Sequence, residues 1–592
     1  MTTPDATPLS ITGRRWRLAE TDFGLGMALA QRLGVPEIIG RIMAARGIGL
    51  DQANNYLDPQ LNQLPDPSTF KDMDTATERL CHAIQTGEQI AVFGDYDVDG
   101  SCAAAMLLRY FRQLGLSTLL YIPDRMTEGY GPNPVAMERL KAQGTKVVIT
   151  VDCGSLAFAA MARAAELGMD VIITDHHQTT PEKPACHALI NPNRMDESGQ
   201  YTNLCGAGVA FLLVVSINRA LRKAGYFHDG RTEPDLRPLL DLVATATVCD
   251  VVPLTGINRV LVDRGLKMMA QRQNPGLTAL ADIAGLDTRP QAWHAGFLIG
   301  PRINAGGRIS ACDLGARLLS TDNPQEAQRL AAELHHLNTE RQQIEQHMLA
   351  EAMTMAEAEA GRSEGALVLV GEGWHPGVVG IVASRIKEVL HRPTFVLAAK
   401  EGVCKGSGRS VSGIDLGRAV LACADYTTAG GGHAMAAGVT LPESNLAGFR
   451  KTLNEHILRQ AEKATFDVFT PTMKIDGVMA VAGASLDFLH HIDRLEPYGA
   501  GNPEPRFAFN GVRIDGARIV GEKHLKCRIT DNTGKSLDSI AFRAMDTALG
   551  PWLLHTAGRA VNVCGKLSRN VWNGRETAQL VMDDGSEYSV AS

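Results

Sequence analysis

From Thr75 onward, hydrophobic positions recur as a helix, a short buried strand and a sharp loop. Ile90–Phe93, Val147–Val151 and Val171–Thr174 are β-branched runs set between helical stretches. Such alternation predicts a parallel sheet with helices on both faces. Further on, Asn323-Pro324-Gln325-Glu326 supplies an N-cap, a proline in the first turn and a capping-box glutamate. A single helix is predicted over Pro324–Ala360, closing before Gly361. At 1.5 Å per residue it spans about 55 Å, more than one small domain needs, so it reads as a connector between domains. Its His335-His336 pair lacks the spacing of a helical metal site and reads as solvated surface.

Strands at Ala366–Val370 and Thr394–Ala398 predict a second α/β block. After Pro497, short alternating segments with turns at Asp531-Asn532-Thr533-Gly534 and Asn573-Gly574 predict a small antiparallel barrel. The first 75 residues mix short apolar helices with turns such as Leu64-Pro65-Asp66-Pro67 and read as an adaptor without chemistry. The expected organisation is an adaptor at 1–75, an α/β domain at 76–322, a connector helix at 323–362, a second α/β domain at 363–465 and a barrel at 466–592.

Composition narrows the class. With 592 residues, 45% hydrophobic and 21% charged, the chain has the profile of a soluble globular protein of several domains and is not a disordered one. The longest notable uncharged run, Cys205–Asn218, is too short and glycine-broken for a membrane span. The N-terminus lacks the apolar stretch of a signal peptide, so a cytoplasmic location is expected. Eleven cysteines, none in a CxxC pair, read as reduced thiols. The net charge of -7 is uneven: residues 499–592 carry +2, leaving -9 for the rest. An acidic metal-chelating site and a separate anion-binding surface fit that division.

The candidate chemistry lies where three strands end. The first runs into Gly94-Asp95-Tyr96-Asp97-Val98-Asp99-Gly100, the second into Asp152-Cys153-Gly154, the third into Asp175-His176-His177. In an open parallel sheet these loops converge beyond the carboxyl ends of the strands. So many carboxylates need a compensating cation, and oxygen plus imidazole donors suit Mn²⁺ or a similar divalent ion. Asp97 and Asp99, two apart, could reach adjacent ions, with Asp152 bridging them, which makes a two-metal site. The bland alternative is that each aspartate caps the helix after its strand. Neither GxxxxGK[ST] nor GxGxxG after a strand occurs, so nucleotide-triphosphate hydrolysis and dinucleotide redox chemistry lack their usual markers.

These three motifs together resemble the DHH phosphoesterase superfamily. The chain's length and later motifs resemble the superfamily's single-strand-specific 5′→3′ DNA exonucleases. The later motifs are Pro123-Asp124-Arg125 with Glu128-Gly129-Tyr130-Gly131, Asn191-Pro192, Cys205-Gly206-Ala207-Gly208, Val248-Cys249-Asp250, Pro301-Arg302-Ile303-Asn304-Ala305-Gly306-Gly307-Arg308, Gly373-Trp374-His375-Pro376-Gly377, Ser407-Gly408-Arg409-Ser410, Gly430-Gly431-Gly432-His433 and Glu496-Pro497-Tyr498-Gly499. The resemblance covers nearly the whole chain from about residue 75.

It implies a DHH domain, a DHHA1 domain and an OB-fold, with Asp97, Asp99, Asp152, His176 and Asp250 as metal ligands for two Mn²⁺ or Mg²⁺ ions. Asp95 is open as a further ligand, because Phe93 stands where many smaller relatives carry a metal-binding histidine. The reaction implied is hydrolysis of single-stranded DNA from the 5′ end to mononucleotides in repair and recombination. The partners implied are a single-strand-binding protein and a RecQ-type helicase, with the chain itself a monomer. His177 is assigned to the substrate phosphate because adjacent side chains on an extended segment point opposite ways; a hydrogen bond to a neighbouring loop is the alternative. Arg302, Asn304 and Arg308 are expected to line the substrate, and Ser407, Arg409, Ser410, Gly431, Gly432 and His433 to hold a terminal phosphate or nucleotide. In the barrel, Arg513, Arg518, Lys523, Lys526 and Arg528 suggest a basic groove, with Phe507, Phe509 and Trp572 as unassigned rings. Two other readings stay open: a non-catalytic binding protein on the same scaffold, and a phosphodiesterase for very short oligonucleotides or cyclic dinucleotides.

Overall fold

The computed structural model describes residues 8–124, 128–129, 131–228, 230–361, 365–556 and 558–588; Arg125 and Tyr130 of the motifs above lie outside them. The chain forms two compact units, one of Asn54–Arg341 with Leu495–Pro503, the other of the residues up to Ala53, Gln342–Arg494 and everything from Glu504. The N-terminal stretch up to Ala53 packs into the second of these units. Its strand β1 (Arg15–Leu18) pairs in parallel with Thr472–Ile475. Trp16 donates from Nε1 to Asp584 Oδ2 at 3.0 Å and packs on buried Met473, Ile475, Ala508 and Cys564. Four residues with two arginines gave no strand pattern to read.

The first unit is built on five parallel strands: β2 (Ile90–Gly94), β3 (Leu119–Tyr121), β4 (Val147–Val151), β5 (Asp170–Thr174) and β6 (Ala188–Ile190), in the order β3-β2-β4-β5-β6. Side chains alternate between two cores. Ile90, Val92, Val147, Ile149 and Ile172 point to the larger one, while Ala91, Phe93, Val148, Val171 and Ile173 point to the other. Burial on both faces is why these strands read as unbroken apolar runs. The chain leaves β2 for β3 on one side and then crosses to β4 on the other. The strand order reverses there, and that switch point is where an open α/β sheet leaves a crevice. The helix Pro324–Ala360 runs as predicted, and the boundary between units falls within it.

The second unit holds a mixed sheet of β7 (Leu367–Glu372), β8 (Thr394–Lys400), β9 (Val403–Arg409), β10 (Ala429–Gly432) and β11 (Ala436–Pro442), ordered β10-β11-β9-β8-β7. After β12 (Thr472–Ile475) and the short β13 (Gly477–Val478) come β14 (Phe507–Val520), β15 (His524–Thr530), β16 (Ser536–Ala541), β17 (Ala560–Trp572) and β18 (Arg575–Glu587). Pairing of β14 with both β15 and β17 closes these last five into a barrel. All eleven cysteines are free thiols, and no helix among the described residues is long and apolar enough to cross a membrane.

The helix Leu240–Cys249, which ends at Asp250, is fixed by the helix Gly256–Met269 crossing it at Gly265, where a Cβ would run into Leu240 O and Ala244 Cβ. Gly265→Ala is therefore expected to lower stability by about 1–3 kcal/mol through overpacking. Urea unfolding followed by tryptophan fluorescence tests this. An unchanged midpoint would mean that the crossing absorbs a methyl group freely.

Candidate metal centre and anion pockets

The loops after β2, β4 and β5 meet at the switch point. Donor atoms of Asp95, Asp97 and Asp152 lie within 4.8 Å of one another, as do those of Asp99, His176 and Asp250, and those of Asp152, His176 and His177. The two ends are joined where His176 Nε2 stands 3.1 Å from Asp152 Oδ1, with Asp99 and Asp250 oxygens each at 3.7 Å. Phe93 is buried in the core, stacked on Tyr121, and takes no part.

Capping and clustering turn out to be compatible. Asp97 is the N-cap of the helix Val98–Gln113, accepting from Gly100 N at 3.0 Å. Asp99 caps a different helix, Gly206–Lys223, with both oxygens accepting from Gly206 N (2.6 Å) and Ala207 N (2.7 Å). Glycines let these elements approach: a Cβ on Gly206 would sit 2.8 Å from Asp152 Cβ, and one on Gly100 would overlap the Asp95 backbone. Asp152 itself has a left-handed backbone (φ 60°), a conformation that suits aspartate among non-glycine residues.

Electrostatically the cluster is under tension. Burial, reinforced by Asp99 and Asp97, holds the Asp152 carboxyl well above its ordinary range. Burial also raises Asp99, with Asp97 adding to it while His176 and the two amides oppose. Asp250 is pushed up to about 8 by burial and by Asp99 and Asp97. It sits at the negative end of the helix Leu240–Cys249, and its buried Oδ2 has no hydrogen-bond partner among the described residues. Oxygen donors with one or two imidazoles, crowded until they resist ionisation, fit a hard or borderline divalent cation such as Mn²⁺ or Mg²⁺.

The expectation that His176 and His177 point opposite ways fails, because the segment turns instead of extending. Their rings lie 4.7 Å apart on the same side. His177 Nδ1 bonds Asp175 Oδ1 at 2.8 Å, a partner in its own loop and not in a neighbouring one. That bond raises His177 to about 9 against the opposing effect of burial. Burial disfavours the Asp175 carboxylate, but bonds from His177 and Ser155 outweigh it and keep the group ionised. Asp175 was named in the third acidic loop but given no role by sequence reasoning. It accepts from the amides of Ser155, His176 and His177 and shapes the loop. Asn191 braces the same loop through Ser155 Oγ and the His177 carbonyl.

Arg302, Asn304 and Arg308 share the helix Gly300–Ile309 but not one face of it. Arg302 donates to Leu298 O (2.6 Å) and to His335 Nδ1 (3.2 Å), so His335 is a hydrogen-bond partner, while His336 is the exposed residue expected, near Glu340. Burial pulls Arg302 below its ordinary value, and no carboxylate pairs with it among the described residues. Asn304 and Arg308 lie on the side where Gly307 meets the Tyr96 ring.

In the second unit, Ser407 and Arg409 are two apart on β9 and share a face. Ser407, Gly438 and Gly431 align across β9, β11 and β10, leaving bare backbone between. The Arg409 guanidinium lies against Gly380, in the first turn of the helix Val379–Leu390, where a Cβ would be 2.9 Å from it. It donates to Gly408 O, and burial pulls it down with no carboxylate beside it among the described residues. Gly432 (φ 148°) starts the exposed turn that carries His433. Ser410 is a correction: its buried hydroxyl donates to Ile414 O at 2.9 Å and is not offered to a ligand.

On the barrel, Arg518, Lys526 and Arg528 line one depression of about 390 Å³ together with Asp515 and Asp538. Arg513 and Lys523 are not among its lining residues; Lys523 stands 3.9 Å from Asp546. A bulge between Asp515 and Arg518 resets the alternation, which is why residues of unlike parity face together. Phe507 and Phe509 are core, whereas Trp572 is 74% exposed at the β17–β18 turn.

A five-stranded parallel sheet with this donor set at its switch point, followed by a mixed sheet and a closed barrel, is an architecture of the DHH family. Residues 89–247 match the DHH family N-terminal domain, 363–458 the DHHA1 domain and 475–584 the RecJ OB domain. The chain is 37% identical over 563 residues, 93% of its length and 96% of the relative's, to the single-stranded-DNA-specific exonuclease RecJ of Salmonella typhimurium. To that of Escherichia coli it is 36% identical over 564 residues, with the same coverage. The crystal structure of RecJ from Thermus thermophilus in complex with Mn²⁺ aligns at a TM-score of 0.80 and 32% identity over 98% of this chain and 80% of that one. The Mg²⁺ complex aligns at 0.75. The chain belongs to the RecJ family.

Proposed function

We propose that the protein is a metal-dependent exonuclease that degrades single-stranded DNA from the 5′ end to 5′-mononucleotides by a two-metal mechanism, acting in repair and recombination. The observation that carries this reading is the pair of donor groups, Asp95/Asp97/Asp152 and Asp99/His176/Asp250, linked by the Asp152–His176 contact. These residues would hold the ions, with Asp152 common to both sides. The chemistry such ions supply when bound is polarisation of a phosphodiester and acidification of water. The chain's own contribution is positional. The Gly206 and Ala207 amides orient Asp99, and Asp175 fixes His177 so that its imidazolium can meet a phosphoryl oxygen. Arg302 and Arg409, cations without a carboxylate beside them among the described residues, suit substrate phosphates. The names of the relatives support the substrate and the exonuclease reaction; the polarity, the single-strand-binding and RecQ-type partners and a monomeric state are carried by the family resemblance, and a cytoplasmic location by the absence of an apolar signal stretch at the N-terminus.

Asp152→Ala should abolish hydrolysis, by at least a thousandfold, while leaving fold and strand binding intact, because it removes a donor from both sides. End-labelled single strands digested with saturating Mn²⁺ test this and show the polarity at once. Activity within tenfold of wild type would end the two-metal reading.

Arg409→Ala should shrink the preference for a 5′-phosphorylated over a 5′-hydroxyl strand by roughly tenfold, the usual scale of a charge-assisted hydrogen bond. Competition between the two strands measures it. A preference equal to that of wild type would remove Arg409 from the terminal pocket.

Replacing Arg518, Lys526 and Arg528 together by Ala should flatten the salt dependence of strand binding, since each phosphate contact contributes about -0.7 to the slope of log affinity against log salt. Anisotropy titrations in EDTA across a salt series give the slope. If the slope is unchanged, the barrel is not the grip.

A further inference from the structure

Beside the acidic cluster lie apolar side chains that the reading above does not use. The helix ending at Asp250 is clamped by the segment Ala292–Ile309. Cys249 Sγ donates to Ala295 O at 3.4 Å, a Cβ on Gly296 would touch Val248 Cγ1 at 3.4 Å, and one on Gly300 would overlap Cys249 Sγ. Between these contacts the segment makes a π-helical turn, Ala295–Ile299, an irregularity found often at functional sites. From that turn Phe297 projects with 74% of its surface exposed, and Trp293, one turn earlier, is 50% exposed. Across the clamp Val251, the residue after Asp250, is 70% exposed and held at φ 60°, a conformation rare for a β-branched side chain.

Single exposed apolar residues need no explanation. Here three stand on two irregular backbone segments locked against each other, and one of them directly follows a metal-donor residue. Five residues after Phe297 comes Arg302, half-buried with no carboxylate beside it among the described residues. An aromatic face and such a cation on one rigid segment match the two halves of a nucleotide, base and phosphate.

We propose that Phe297 is a base platform that positions one nucleotide of the strand next to the donor cluster by stacking. It is a positioning residue, and this inference rests on the single-strand nuclease reading. Stacking serves every base alike, so the platform holds the strand without sequence preference. It also favours unpaired strands, because a base inside a duplex has no free face to offer.

The test uses the full chain, wild type against Phe297→Ala and Phe297→Trp, on a 5′-phosphorylated strand and on the same strand with one abasic residue stepped through its first positions. Phe297→Ala should raise KM for the intact strand about tenfold, as loss of one base–aromatic stack does, with kcat little changed and melting temperature equal to wild type. Phe297→Trp should restore KM. Wild type should lose a similar factor at one abasic position, and Phe297→Ala should lose nothing further there. Binding in EDTA, read by anisotropy, should weaken in parallel. A Phe297→Ala variant that matches wild type on the intact strand, or that still suffers the abasic penalty at every position, overturns the platform alone. A wild-type chain that neither binds nor digests single strands overturns the nuclease reading and the platform with it.

Discussion

The mutual repulsion of Asp95, Asp97, Asp99, Asp152 and Asp250 at the end of one sheet governs the architecture around it. Carboxylates brought this close and buried resist ionisation unless something positive or proton-donating faces them. The fold supplies partial answers. Helix N-termini receive Asp97 and Asp99, and an imidazole stands between Asp99, Asp152 and Asp250. Asp250 receives the least, lying at the wrong end of its helix with one oxygen unbonded among the described residues. What the amides and His176 leave uncompensated is what a divalent cation would balance. The glycines at 100 and 206 follow from the same constraint, since they permit backbone donors to come within reach of the acids.

How far such a site can be read in advance depends on whether its parts are contiguous. The three acidic loops were legible because each follows an apolar run, and parallel strands bring the ends of such runs together. Helix capping, weighed as the bland rival of metal binding, proved true of Asp97 for the helix after its strand, while Asp99 caps a different helix, and neither displaced the cluster reading. A carboxylate has two oxygens and several lone pairs, enough for both tasks. The role of Asp175 was not legible, since it depends on a turn that folds His177 back onto it, and that turn also undid the alternation argument for the two histidines.

Elsewhere the failures share one cause, backbone irregularity. The bulge after Asp515 changes the parity of β14, so the facing of Arg513 and Arg518 could not be counted from a period of two. Ser410 follows Arg409 in a glycine-rich motif but turns inward as β9 ends. Phe507 and Phe509, left as unassigned rings, are no such failure: they are core, as aromatics in small barrels commonly are. Phe297 escaped notice for a related reason: an exposed phenylalanine looks like any core residue until a π-helical turn shows which way it faces. The long helix, free of bulges and well capped at its start, ran over the span its residues predict.

The acidic cluster has a counterpart of opposite sign. Arg302 and Arg409 are each partly buried, each bonded to backbone or imidazole atoms and to no carboxylate among the described residues, and each pulled below the ordinary guanidinium value by burial. Leaving a cation so placed costs stability unless an anion completes it. Each of these sites on its own suits a phosphate group, and a single-stranded nucleic acid carries many of them; its bases, unpaired and turned outward, could also use the apolar surface that Phe297 exposes. A cyclic dinucleotide or a very short oligonucleotide would satisfy the acidic end with its cations but would leave the basic depression of the barrel without use. The chain therefore carries more phosphate-binding capacity than a minimal phosphodiesterase needs, and that excess is the physical argument for a long strand as its substrate.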